Sequence, residues 1–420
     1  MLLKLCDRNT MSERRFFQFP HLNFKIWILA AGRSISQIGT GFTLFYAPIF
    51  FVNQVGLSAT TVGIALGSGS ISGIVGRFLG GSFSDSQWWG RRKTLLLSAA
   101  ISAIADVVLA LTYNFPMLVI GNLLMGLGIG LYWPATEAAV ADLTTIEQRN
   151  EAFAITRLAD SIGLGLGVVL GGASIAFSGN YRTLFIIDGI SFLVFFAIVY
   201  VAISETYQFH ERQRDPSRGW LVALSDRRLI IYSIVNVIFT TYVSQIQSTM
   251  PLYFKNFVSG RGFSPTIISL IFSWHIVFSA LCQLPVARFL NRFSRIEALI
   301  FSLLFWGVGF ILVWLTGIST THALVWAILA LGVLAVATVA YTPSASALVV
   351  DLSPPSLRGI YLSINSQCWA IGYLIGPPLG GWALDRSPSF AHGFWLASAA
   401  SIGIGILILR SLNRILKSER

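Results

Sequence analysis

Twelve apolar runs, each long enough for a membrane-crossing helix of about 20 residues, follow one another through this 420-residue chain. They fall at 26–52, 60–84, 93–113, 117–142, 151–177, 183–203, 229–253, 265–287, 296–316, 323–349, 360–384 and 393–411. Helices of that length span the roughly 30 Å hydrocarbon core of a bilayer and satisfy their own backbone hydrogen bonds there. The chain is 55% hydrophobic and only 11% charged, too few charges to cover a soluble surface of this size. The expected fold class is therefore an all-α membrane protein. Its expected parts are a tail (1–25), a six-helix bundle (26–203), a hydrophilic linker (204–228), a second six-helix bundle (229–411) and a short tail (412–420). The first run is preceded by 25 residues and followed by eleven more runs, so it reads as a retained helix and not a secretory signal.

The net charge of +11 invites a nucleic-acid partner, but its distribution argues for a membrane instead. Starting the first run from the cytoplasm leaves only Arg182, Lys255, Arg261 and Arg386 on the outer loops. Arg33, Arg77 and Arg157 fall inside runs, and every other Lys or Arg falls on the cytoplasmic side. That skew is the positive-inside signature and places both termini in the cytoplasm. The expected location is the plasma membrane, or the inner membrane of a Gram-negative cell.

The chain also repeats itself. Tyr132, Pro134, Asp142, Leu143, Arg149, Gly163, Gly167, Gly171 and Gly172 recur 209 residues later. The second set is Tyr341, Pro343, Asp351, Leu352, Arg358, Gly372, Gly376, Gly380 and Gly381. An even number of runs per half gives both halves the same orientation, so the repeats are parallel and related by an axis along the membrane normal. Between Gly163, Gly167 and Gly171, and between Gly372, Gly376 and Gly380, the spacing of four lines glycines on one helix face, where a neighbour can approach closely.

This 6+6 plan resembles the major facilitator superfamily, over 26–411. The loop after the second run carries Gly81, Asp85, Gly90, Arg91, Arg92 and Lys93, similar to that family's loop signature, with two extra residues between Asp85 and Gly90. The resemblance implies a latch from this loop to the start of the eleventh helix on the cytoplasmic side. The matching place in the second half is Asn291, so a carboxylate latch is one-sided. Asp142 with Arg149 and Asp351 with Arg358 bracket the loops after the fourth and tenth runs. An Asp at a helix C-terminus opposes the dipole, and a nearby Arg offsets that; the duplication of both charges points to a cytoplasmic gate network. The fifth-run glycines resemble the antiporter motif of the drug:proton branch. Val168 stands where that motif has proline, whereas the second copy keeps it as Pro377. That branch also commonly has an arginine in the fourth helix, where this chain has Asn122.

Ionisable residues inside the runs are costly, about 2.5–3.5 kcal/mol each on insertion scales, and so are coupling candidates. Arg33, Glu137 and Asp160 are weighed as a buried pair, Arg33 with either acid, that protonation would open. Asp106 and Asp188 lie nearer the outer side and are read as structural. The second half carries neutral polar groups in place of charges. Gln37, Tyr132, Asn236, Gln245 and Tyr341 are the candidates for lining a central cavity.

No Gly-Lys dipeptide, and so no P-loop, occurs, nor His-Glu-x-x-His, Cys-x-x-Cys or Gly-x-Ser-x-Gly. No enzyme activity, cofactor or metal is expected. The expected partners are a small-molecule substrate, protons and the lipid bilayer, with no nucleic acid, for a monomer. The function expected is proton-coupled export of amphipathic compounds by alternating access. Two alternatives are a uniporter or symporter for a polar or anionic metabolite anchored by Arg33, and a membrane sensor or assembly subunit that has lost transport.

Overall fold

The computed structural model describes residues 22–84, 86, 88–145, 149–206, 216–258, 262–290, 292–354 and 358–418. They form α1 (Phe24–Leu44), α2 (Ala47–Asn53), α3 (Ala59–Ser84), α4 (Gly90–Ala110), α5 (Phe115–Asp142), α6 (Arg149–Ser178), α7 (Arg182–Ala202) and α8 (Pro216–Ser225). There follow α9 (Arg227–Gln247), α10 (Thr249–Asn256), α11 (Pro265–Leu290), α12 (Arg295–Ile318), α13 (Ala323–Leu352), α14 (Arg358–Leu384) and α15 (Pro388–Ser418). Among the described residues, 11 segments are long and apolar enough to cross a membrane, with α1 and α2 together making the first. The remaining run is α14, 27 residues long but more polar, because Ser363, Asn365, Ser366 and Gln367 fall in its first half. Large apolar side chains such as Phe78, Phe177, Leu281 and Val201 point outward, as a lipid-facing surface requires.

Two expected runs are each broken in the same way. α1 ends at Leu44, four residues before Pro48, and α9 ends at Gln247, four before Pro251. A proline ring clashes with the carbonyl four residues back and donates no hydrogen bond to it. Each long helix therefore stops there and resumes as the short α2 or α10. Polar side chains mark other helix starts. The Asn23 and Asn114 carbonyls accept from the backbone N–H groups of Lys25 and Met117, and Ser294 with Glu297 forms a capping box on α12.

The packing is duplicated. α1 lies on α6 and α7, α4 on α5 and α7, and α3 on α5. The second half repeats these relations: α9 on α14 and α15, α12 on α13 and α15, α11 on α13. The glycine rows set the closest of these approaches. A Cβ at Gly167 would strike the Ile38 carbonyl and come within 2.9 Å of Gly41 Cα, while Gly163 and Gly171 abut Ser34 and Phe42 along the same helix. Gly372, Gly376 and Gly380 abut Thr240, Ser244 and Thr249. The two halves meet through α3 against α14 and α6 against α11.

The linker region places an acid outside the membrane spans at the start of α9. Asp226 accepts from the Arg228 backbone N–H (2.9 Å) and Nε (3.2 Å), and from the Tyr361 hydroxyl of α14 (2.8 Å). Burial alone would raise its carboxyl, but the hydrogen bonds from Arg228 and Tyr361 outweigh burial and hold it below its ordinary range. A depressed folded value stabilises the fold above the ordinary carboxylate pKa, and that support is lost as pH falls through the lowered value. Asp226→Ala is thus expected to lower the melting temperature at neutral pH, by the equivalent of about 0.5–2 kcal/mol for a lost helix cap. The gap from wild type should close in strongly acidic buffer. Thermal melts in nanodiscs across pH check both statements.

Candidate transport site and gates

The core separates at one end of the molecule and joins at the other. At the end holding the described chain termini, Ile26, Leu29, Ala139, Val140 and Val199 form a cluster confined to the first half. At the opposite end, Phe42, Phe45 and Phe50 belong to a cluster continuous with Phe254, Phe263 and Phe272 of the second half. Phe45 stacks on Phe272 with ring centroids 4.3 Å apart. Polar contacts also join the halves at this opposite end, and one nearer the termini does so too, from Arg77 Nη1 of α3 to the Ser366 carbonyl (3.1 Å) and hydroxyl (3.2 Å) of α14. Asn53 of α2 and Asn256 of α10, each at the tip of a proline-broken helix, exchange two amide hydrogen bonds of 3.0 Å. The Asp385 carboxylate, just past α14, accepts from the Ala59 N–H (2.7 Å) and the Thr60 N–H (2.6 Å) at the start of α3. Ser269 Oγ of α11 donates to the Val168 carbonyl of α6 at 2.9 Å.

At the termini end the described ion pairs stay within halves. Arg91 Nε lies 3.2 Å from Asp142 Oδ2, and Arg295 Nε lies 3.7 Å from Asp351 Oδ2. Each half thus joins the end of its fourth membrane helix to the start of its third. The described ion-pair partners of Asp142 and Asp351 are these two arginines, a correction to the expected pairs. Asp142 Oδ2 also accepts from the Thr206 hydroxyl at 3.1 Å. The side chains of Arg149 and Arg358, together with Asp85 and Asn291, lie outside the described residues. Gly90 has φ +75°, a left-handed conformation suited to glycine, and beside it the Glu205 carboxylate accepts from the Arg91 (2.9 Å) and Arg92 (3.1 Å) N–H groups, capping α4. Arg92 also donates to the Tyr200 carbonyl at 2.6 Å. A Cβ at Gly81 would meet only open space, so packing does not demand glycine there.

Between the halves lies a cavity of about 210 Å³, lined by Phe45, Ser161, Leu164, Gln247, His275, Ile276, Gln283 and Thr338 among others. His275 Nδ1 lies 2.9 Å from the Leu331 carbonyl, so that nitrogen carries the proton and donates, which leaves Nε2 as an acceptor. Asp160, one residue before Ser161 and one helical turn before Leu164, holds Arg33 in a bidentate pair. Arg33 Nε donates to Oδ1 at 2.9 Å and Nη2 donates to Oδ2. Arg33 is 1% exposed and Asp160 14%. Glu137 does not join them: it pairs with Arg157 at 3.1 Å, with both side chains about half exposed. Trp133 links the two pairs, its ring 5.5 Å from Arg33 Cζ and 5.2 Å from Arg157 Cζ.

Four of the five expected cavity residues are packed away from this space. Asn236 is fully buried and donates to Asn365 Oδ1 (2.9 Å), while the Tyr341 hydroxyl donates to its carbonyl (2.5 Å). Tyr341 also stacks on Phe239. Gln245 Nε2 donates to the Gly376 carbonyl at 2.9 Å, and Tyr132 lies buried beside Arg33. Asn236, Tyr341 and Asn365 satisfy one another across α9, α13 and α14, which their polarity alone did not reveal, whereas the Tyr132 hydroxyl and Gln245 Oε1 are buried without a hydrogen-bond partner. Gln37 is half-buried, with its Cβ against Gly163. Sequence reasoning missed Asp385. Its signal was that no other Asp or Glu falls on the outer loops of the expected topology.

Comparison with known proteins now bears on this geometry. Residues 29–260 and 256–419 match the Major Facilitator Superfamily. The "Multidrug resistance protein MdtH" of Salmonella arizonae is 26% identical over 347 residues, covering 82% of each chain. A "Na(+), Li(+), K(+)/H(+) antiporter" of Planococcus maritimus is 24% identical over 371 residues, covering 80% of this chain and 85% of its own. Among solved structures, the nucleoside transporter NupG (D323A mutant) superposes with TM-score 0.78 at 15% identity, over 92% of this chain and 99% of that one. The D-xylose-proton symporter gives 0.73 at 19%, over 93% and 97%. The duplicated packing, the cavity between halves and these matches agree: the chain belongs to the major facilitator superfamily of membrane transporters, and its relatives include multidrug-resistance and cation/proton antiport proteins.

Proposed function

We propose that this protein exports amphipathic small molecules in exchange for protons, with both termini in the cytoplasm of a plasma or inner membrane. The observation that carries the coupling is the Arg33–Asp160 pair beside the cavity. Asp160 is the counter-ion of a buried arginine, so adding a proton to it frees the arginine and removes one of the contacts that fix α1 on α6. With the termini cytoplasmic, the closed end faces outward and the state is inward-facing. Import and export use the same two states, and the relatives named for multidrug resistance and for antiport favour export. Walls that alternate apolar side chains such as Phe45, Leu164 and Ile276 with neutral polar ones such as Ser161, Gln247 and Gln283 suit an amphipathic substrate. Arg33 is engaged by Asp160 through Nε and Nη2, which weighs against it as an anchor for an anionic metabolite.

A panel of cationic and neutral amphipathic dyes in cells expressing the chain tests this reading. The expected result is lowered accumulation of at least one dye, reversed when a protonophore collapses the gradient. Unchanged accumulation across the panel, with the protein present in the membrane, would sink the export reading.

A further inference from the structure

Two acids outside the transport site face each other inside the first half. Asp106 of α4 and Asp188 of α7 are each 1% exposed. The two helices pack together, and Asp106 Cβ lies against Gly189, next in sequence to Asp188. Both Asp106 oxygens and Asp188 Oδ1 are buried without a hydrogen-bond partner. Asp188 Oδ2 accepts from the Thr43 hydroxyl at 2.9 Å. No described Lys, Arg or His pairs with either carboxyl.

The surroundings supply no hidden counter-charge. On α7 the nearest charged group is Arg182, whose guanidinium donates to the Ala110 and Thr112 carbonyls and lies over Phe50. On α1, Arg33 is bound to Asp160 ten residues away from Thr43. On α4, the other charges, Arg91, Arg92 and Lys93, sit at the opposite helix end, and α5 carries no titratable group before Tyr132. Of the neighbouring tyrosines, Tyr181 stacks on Phe50 and Tyr46 donates to the Val168 carbonyl.

We infer that Asp106 and Asp188 form a second proton-binding site, a carboxyl pair that keeps one proton while the Arg33–Asp160 pair is ionised. An unpaired carboxylate in so apolar a place costs several kcal/mol at least, and two adjacent ones repel as well. With one proton on the pair, one acid is neutral, a hydroxyl donor is added among the orphaned oxygens, and the repulsion between two like charges is gone. The pair titrates as a unit, so no single residue owns the proton. The site reads out through Thr43, whose hydroxyl bonds Asp188 two residues before α1 breaks at Phe45. Phe45 stacks on Phe272 across the halves, so proton loss at the pair changes a contact at the hinge of the closed end. The site therefore differs from the transport pair in place and in readout.

Infrared difference spectroscopy of the purified protein in nanodiscs, titrated with acid and base, tests the inference without any transport. The expected result is a protonated-carboxyl carbonyl band at neutral pH that shifts in D₂O, moves in frequency in each of Asp106→Asn and Asp188→Asn, and disappears in Asp106→Asn/Asp188→Asn. Thr43→Val should keep the band and move its frequency, because the altered hydrogen bond acts on the same pair. Asp160→Asn should leave the band in place, which separates this site from the proposed coupling pair. Melting temperatures, and the same spectra of Asp106→Asn/Asp188→Asn, guard against misfolded variants. A neutral-pH band left unmoved by both single substitutions or surviving in Asp106→Asn/Asp188→Asn, or its absence from wild type, would overturn the proposal. So would its loss on adding sodium chloride at fixed pH, since a metal cation would then be the occupant.

Discussion

Asp160→Asn is expected to abolish transport driven by a pH gradient in proteoliposomes, to background, while binding of the exported dye persists. The substitution keeps the volume and one acceptor but removes the charge that answers Arg33. An arginine that is 1% exposed is then left without its counter-ion, and breaking a buried pair from one side costs about 3–5 kcal/mol. That energy bears on both the fold and the balance of states, so two controls are needed. The pair-removing variant Arg33→Leu/Asp160→Leu takes away both charges and should recover most of the melting temperature lost in Asp160→Asn, without recovering gradient-driven flux. Glu137→Gln should retain most of the flux, because its partner Arg157 is 62% exposed and pairs of that kind contribute about 0–1 kcal/mol. Full gradient-driven flux in Asp160→Asn would remove the pair from the coupling mechanism. A Glu137→Gln variant more impaired than Asp160→Asn would move coupling to the exposed pair.

The architecture was legible because it rests on one-dimensional quantities. Helix length, charge sidedness and a fixed repeat offset need no knowledge of which helix touches which. The glycine rows were legible for the same reason, since a spacing of four puts Gly163, Gly167 and Gly171 on one face whatever lies opposite. Partner choice was not legible. Arg33 had two acids within plausible helical depth, and only the rotation of α6 decides that Asp160 faces it while Glu137 turns to Arg157. Asn236 and Tyr341 read as cavity residues because polar groups in a membrane helix need a purpose. Here that purpose is mutual satisfaction with Asn365. The helix breaks at Phe45 and Ser248 were readable from Pro48 and Pro251, but the apolar run conceals them, because a proline-broken helix is as hydrophobic as a straight one.

The duplication also explains where the halves lock. Two equivalent asparagines, Asn53 and Asn256, meet each other across the pseudo-axis, as self-complementary groups on symmetry-related helices do. The carboxylate latch is not shared. Asp385 caps α3, whereas the matching stretch after the fifth run, around Phe177 to Gly179, holds no acid. One half thus contributes a charge to the closed end and the other a helix N-terminus, where Ser58 Oγ accepts from the Thr61 N–H and Asp385 from those of Ala59 and Thr60, a pairing favoured by the helix dipole.

Removing that charge should release the closed end. Asp385 accepts from two backbone N–H groups at 2.7 and 2.6 Å, and those donors lie among the first turn of α3, where no intrahelical partner exists. A hydrogen bond to a charged group contributes about 1.5–3 kcal/mol, with the lower figure apt for a group at the molecular surface. Loss of about 1.5 kcal/mol from the closed state alone shifts its ratio to the open state roughly tenfold. Asp385→Ala, with spin labels at Gln54 and Arg386, is therefore expected to show a new long-distance population in double electron–electron resonance. Asp385→Asn, which keeps one neutral acceptor, should fall between the two. Because the bonds cross the halves and exist in one state only, the melting temperature of the separate bundles' packing should change far less than the distance distribution. Asn53→Ala should add to the effect, since its amide pair with Asn256 closes the same end without sharing atoms with Asp385. An unchanged distance distribution in Asp385→Ala would show that the aromatic contact of Phe45 with Phe272 and the close approach of α3 to α14 hold this end shut on their own.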